Sequence, residues 1–197
     1  GQTIMVDSFV PISKNFQATP VIDGEWGPSY ASVMLVWKEP DGLKIKRYTH
    51  LYGWSSKGTI SGTNSYSTNP SIVDYNSSNF FICWEDAANH KIKYIEASYG
   101  TSWSFFSAAD VSPSYWMDNM SPQMTLVSSN KPTIVWRSRN NIVEGLSVHI
   151  RQKSADVWQN ITSFSQTGPF SPNPVIGDYY SQNKMDVLWD IGNSIYK

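Results

Sequence analysis

The sequence predicts an all-β fold, a β-propeller with four visible repeats, on three observations. Apolar runs that end in Trp recur as ASVMLVWKE (31–39), SNFFICWED (78–86), NKPTIVWRS (130–138) and KMDVLWDI (184–191). Pro20, Pro70, Pro122 and Pro174 stand at spacings of 50, 52 and 52, and Trp37, Trp84, Trp136 and Trp189 at spacings of 47, 52 and 53. No segment carries a helical period, whereas period-two alternation of β-branched and aromatic residues is common. Several short strands repeated at about fifty residues are the sequence pattern of a propeller blade.

Each unit reads as four strands. The first follows the proline: PVIDGEW (20–26), PSIVDYN (70–76), PQMTLVSS (122–129) and PVIGDYY (174–180). The second is the Trp run, apolar throughout because neighbouring blades cover both of its faces. Its Trp fills space between blades, and the acid or Lys that follows marks the exit to solvent. The third alternates, as in GLKIKRYTHLYG (42–53), KIKYIEASYG (91–100) and LSVHIRQ (146–152). EPDG (39–42), DAANH (86–90) and RSRNN (137–141) supply turn residues between the second and third. A fourth begins near Trp54, Trp103 and Trp158. The chain is thus a single domain, 1–197, with repeats at 20–69, 70–121, 122–173 and 174–197. Residues 1–19 complete the last repeat. Four blades closing on themselves and a share of a larger ring both fit this pattern.

Composition narrows the function. Apolar residues make up 40% of 197, aromatics 14% and charged residues only 16%, the profile of a loop-rich secreted or cell-surface domain. Net charge is −1 with no basic run, so nucleic acid is not an expected partner. No apolar stretch is long enough for a membrane-spanning helix. Cys83 is the one cysteine and lies inside FFICW, which reads as a small buried hydrophobe. His50, His90 and His149 fall at unrelated places in three units, so neither a metal nor another cofactor is expected. No Ser-His-Asp arrangement or phosphate loop is apparent, and enzyme function has no positive motif. Asp23, Asp74 and Asp178 recur just after the first apolar pairs (VID, IVD, IGD), while the third repeat has Thr125 or Ser128 there. Such acids cap neighbouring backbone, or they line a central channel as a glycosidase pair or an oxygen-rich cation site.

The segment EASYGTSW (96–103) resembles the Asp-box, S-x-D-x-G-x-T-W, of sialidase-like propellers. Gly100 and Trp103 match, Ser102 stands for Thr, and Glu96 and Ser98 depart from the motif. LYGW (51–54) is a shortened version, and SADVW (154–158) lacks the Gly. The longer unit FFICWEDAANHKIKYIEASYGTSW (80–103) is similar to the repeats of propeller lectins, whose fucose-binding members run strand, D-x-x-N-type turn, strand, G-x-x-W. The resemblance implies a propeller and sugar binding.

The expected function is therefore a non-catalytic, lectin-like module whose aromatic side chains stack on sugar rings, with a glycan or glycoconjugate as partner. Trp26 in DGEWGPSY and Trp116 in SPSYWMDNM lie in Gly-, Pro-, Ser- and Asp-rich segments, so both read as loop residues. Trp54, Trp103 and Trp158 read either as sugar platforms between blades or as core. The alternatives are a glycoside hydrolase or part of one, with Asp74 and Asp178 near the axis, and a scaffold that binds other proteins. Self-association or additional blades would complete a larger ring.

Overall fold

A computed structural model describes residues 20–26, 31–76, 78–113, 117–127, 131–140, 145–155, 157–166, 174–179, 184–191 and 194–196. Among the described residues there is no helix, and every strand pairing is antiparallel. Among these residues no helix is long and apolar enough to cross a membrane.

The strands form four sheets in chain order. The first holds β1 (Val21–Trp26), β2 (Ala31–Glu39), β3 (Gly42–Thr49) and two short pieces, β4 (Gly53–Trp54) and β5 (Gly58–Thr59), both on β3. The second holds β6 (Ser67–Asn76), β7 (Asn79–Asp86), β8 (Lys91–Tyr99), β9 (Trp103–Phe105) and β10 (Ala109–Asp110), the last two both on β8. The third holds β11 (Met117–Val127), β12 (Lys131–Asn140), β13 (Gly145–Ser154) and β14 (Val157–Gln166). The fourth holds β15 (Val175–Tyr179), β16 (Lys184–Ile191) and β17 (Ser194–Tyr196).

The sheets pack face to face in sequence order. Successive side chains of a strand point to opposite faces, so each central strand serves two neighbours. Met34, Val36, Leu43 and Ile45 of the first sheet meet Phe80, Ile82, Trp84 and Ile95 of the second. The other face of the second sheet, with Phe81, Cys83, Ile92 and Tyr94, meets Met124, Ile134 and Trp136 of the third. Val135, Val148 and Ile150 of the third sheet meet Val187, with Ile176 beside it, of the fourth. That two-sided burial is why FFICW is apolar without alternation. Cys83 is fully buried and free, and burial raises its thiol pKa, so it packs as a hydrophobe. Trp37, Trp84 and Trp136 are essentially inaccessible to solvent. Burial of each such side chain stabilises the fold by about 2–3 kcal/mol.

The first strands stand side by side, β1 with β6, β6 with β11 and β11 with β15. Hydrogen bonds tie β1 to β6 and β6 to β11. The amide of Asp74 donates to Asp23 Oδ2 at 2.8 Å, and the amide of Met124 donates to Ser71 Oγ at 3.1 Å.

Three features depart from the expected strands. First, β6 and β11 begin at Ser67 and Met117, before Pro70 and Pro122. Proline cannot donate to the ladder, and the register shifts between Thr68 and Ser71 and between Met120 and Gln123. Asn69 (φ 47°) and Ser121 (φ 53°), each just before the proline, take the left-handed conformation that lets the strand step over it. Second, RSRNN is not the turn, because Arg137–Asn140 continue β12. Third, the fourth strand is broken into two pieces in the first and second sheets and is continuous only as β14. Residues 1–19, expected to complete the last repeat, lie outside the described residues.

Candidate binding surface

Trp54 ends the tight connection after β3. Gly53 has φ 69°, a left-handed value that suits glycine, and the amide of Tyr52 donates to Thr49 Oγ1 at 3.3 Å. These constraints set β4 opposite Tyr48 and Thr49. The Trp54 ring meets Tyr48 edge-on, with centroids 5.4 Å apart. Trp54 keeps 37% of its surface exposed and Tyr52 keeps 87%, with His50 and Leu51 also open to solvent. The backbone below is pinned twice: Ser55 N donates to Arg47 O at 2.7 Å, and Arg47 N donates to Ser55 Oγ at 3.0 Å. The result is a small aromatic surface on a fixed support.

Trp103 and Trp158 occupy the corresponding places in the next two sheets, where both are half-buried between sheets. Trp103 Nε1 donates to Ser56 O of the first sheet's connection at 3.1 Å. Its ring lies among Tyr99, Phe80 and Phe105, at centroid distances of 4.8, 5.9 and 6.1 Å. It also covers Gly58 so closely that a Cβ there would fall 2.6 Å from Trp103 Cδ1. Trp158 of the third sheet meets Tyr94 of the second edge-on at 5.0 Å. Of the three Trp residues at these places, Trp54 therefore offers the most surface to a ligand.

Trp26 is the last residue of β1, opposite Ala31, and not a loop residue as its Gly- and Pro-rich surroundings suggested. Its side chain lies outside the described residues, and Trp116 lies outside them altogether. The five candidates are thus not shown to share one site.

Several acids have structural duties. Asp23 takes the Asp74 amide of the next sheet, which is the capping role. The side chain of Asp178, in β15, lies outside the described residues. The acids near the central Trp residues do not simply lead to solvent. Glu39 is buried, accepts from Trp37 Nε1 at 2.9 Å and pairs with Lys57 at 3.0 Å. Glu85 accepts from Asn69 Nδ2 at 2.8 Å and from the Ser121 amide at 3.1 Å, clamping the two proline bulges together. Sequence reasoning missed this clamp because its partners come from two other strands. Trp136 Nε1 donates to Asn119 Oδ1 at 2.7 Å, and Asn119 Nδ2 donates to His90 O at 2.8 Å.

Charged groups also bridge sheets. Lys153 of the third sheet pairs with Glu96 of the second and lies 5.1 Å over the Tyr94 ring. Burial, reinforced by Glu96, raises the Tyr94 pKa. Burial alone would raise the Asp110 pKa too, but bonds from Lys91 and Lys93 outweigh it and lower the value. His149 stacks on Trp136 at 5.1 Å, and its Nε2 lies 2.6 Å from Ser138 Oγ. Burial, then the nearby Arg151, lowers the His149 pKa. This Ser-His pair was not visible in the sequence. Ser138 is almost wholly buried, so the hydroxyl is shielded from substrate and the bond is structural. Among the described residues, no three His, Cys, Asp or Glu gather as metal ligands.

No protein-family model matches the chain, and no curated protein matches it either.

Proposed function

We propose that this chain is a non-catalytic carbohydrate-binding module, secreted or displayed at a cell surface, whose four sheets are blades of a β-propeller. The blade reading draws support from the sequential face-to-face packing and from the row of first strands β1, β6, β11 and β15. The observation that carries the binding reading is the exposed pair Trp54 and Tyr52 on a pinned turn beside Tyr48. A flat aromatic face with a polar edge suits the C–H face of a pyranose, and His50 and Thr49 stand close in sequence to meet hydroxyls. Similar shallow sites on other blades would add avidity through multivalency.

A glycan array with the purified chain tests the proposal, followed by titration of the best sugar. Trp54→Ala is expected to weaken binding on the order of tenfold, the effect of losing about 1.4 kcal/mol of contact, with little change in unfolding midpoint. Tyr52→Ala should weaken it less. A folded chain silent on the array, or binding untouched by both substitutions, would remove the basis for this site.

A further inference from the structure

We propose that the rim between the first and second sheets holds the carboxylate of an acidic sugar, with Arg47 as its anchor. The inference deepens the carbohydrate reading and rests on it for the class of ligand. β3 carries Arg47 opposite Met34 of β2, and β8 carries Glu96 opposite Phe81 of β7. Met34 and Phe81 each stand three residues before the repeat Trp, so Arg47 and Glu96 hold one repeat position. Both turn toward the third strand of the following sheet. Glu96 is neutralised there, because Lys153 of β13 pairs with it. Lys153 follows Gln152, the residue of the third sheet at the Arg47 position. The second sheet has Ala97 in the place of Lys153, and a methyl group supplies neither charge nor hydrogen bond. Arg47 instead lies over the Tyr99 ring of β8, with Cζ 5.8 Å from the centroid.

Arg47 is half-buried, yet most of its hydrogen-bonding capacity is free. A guanidinium carries five N–H donors. Its Nε–H reaches the buried Ser32 Oγ at 3.4 Å. Among the described residues neither terminal nitrogen donates to a partner, and no carboxylate pairs with the group. A guanidinium lying on an aromatic ring keeps its N–H fork open at the edge, in the geometry that grips a planar carboxylate. The surroundings hold that fork in place. The Arg47 backbone is bonded both ways to Ser55, and Trp103 packs on Tyr99 with centroids 4.8 Å apart. Next to Tyr99, Gly100 is exposed and a Cβ there would meet nothing within 4 Å, so the rim leaves room for a sugar ring. Tyr48 and Arg47 are neighbours on β3 and point to opposite faces, so this site is separate from the Trp54 surface.

A glycan array that carries carboxylated glycans beside their methyl esters tests this, because esterification removes the charge and keeps the sugar. The acids should bind on the order of tenfold more tightly than the esters, the scale of hydrogen bonds to a charged group. Arg47→Met keeps an apolar stem against Tyr99 and should erase that preference. Arg47→Lys keeps the charge without the fork and should retain only part of it, a second reading if the Met variant fails to fold by circular dichroism. Added salt should weaken the acids more than the esters. Acids and esters bound alike, or a preference that survives both substitutions in folded chains, would overturn the proposal and leave the lectin reading standing. Sulfated glycans or a glutamate-bearing peptide bound as tightly as the carboxylated sugars would overturn it too, since charge alone would then be recognised. A folded chain silent toward every glycan would overturn both readings.

Discussion

Three tryptophans at one repeat position solve the same problem in different ways. Trp37 gives its N–H to Glu39, Trp136 gives its N–H to Asn119, and Trp84 Nε1 is buried without a partner among the described residues. Trp84→Ala should cost about 3–5 kcal/mol in chemical denaturation, since it empties a site between two sheets. Trp84→Phe should cost less, because the ring fills most of the space and no hydrogen bond is lost. At Gly58 the added methyl of Ala would press on the Trp103 ring, which Tyr99, Phe80 and the bond to Ser56 hold in place. Gly58→Ala is expected to destabilise by about 1–3 kcal/mol and to alter tryptophan fluorescence. His149 gives a pH signature. Its folded pKa lies below the ordinary 6.5, so on acidification the unfolded chain takes up the proton first. Stability should hold above about pH 6.5 and fall as pH drops below it, and His149→Gln should flatten that slope in urea midpoints.

Strands show what the sequence made legible and what it hid. The Trp strands were readable because burial on both faces gives them unbroken apolar runs, and the third strands because apolar and polar residues alternate along them. The two-piece fourth strands were not, since β4, β5, β9 and β10 are defined by hydrogen bonds to β3 or β8 and are too short to carry a pattern. Each repeat proline lies in the first strand of a sheet or just before it, but it does not mark every strand start, because Ser67–Thr68 and Met117–Met120 pair on the far side of each bulge. Trp26 looked like a loop residue because Gly27 and Pro28 follow it, yet its backbone pairs with Ala31. The Glu85 clamp was invisible because Asn69 and Ser121 are distant in sequence. Of the candidate site, aromatic exposure was foreseeable only as a choice between platform and core; sheet-to-sheet packing half-buries Trp103, while Trp54 stays more exposed. Ser121 keeps a left-handed backbone at a non-glycine residue, and the clamp uses only its amide. Ser121→Gly should therefore be neutral or stabilise the chain by up to about 1 kcal/mol, read from the thermal midpoint.

Burial across the molecule is uneven in an ordered way. The second sheet is covered on both faces by described clusters, whereas the fourth has an exposed outer face at Val175 and Leu188. Amide exchange should be slowest in Phe81–Trp84 and fastest in Val175–Tyr179, as mass spectrometry of exchanged peptides can read. The sheets also divide two kinds of closure. Backbone pairing runs between strands close in the chain, so its sequence separations are short. Side-chain burial requires the next sheet. As the chain leaves the ribosome, the first sheet can complete its ladder while Met34, Val36, Leu43 and Ile45 still face water. Each newly made sheet shields its predecessor and exposes a greasy face of its own, so a paused or truncated nascent chain always presents one bare sheet to chaperones.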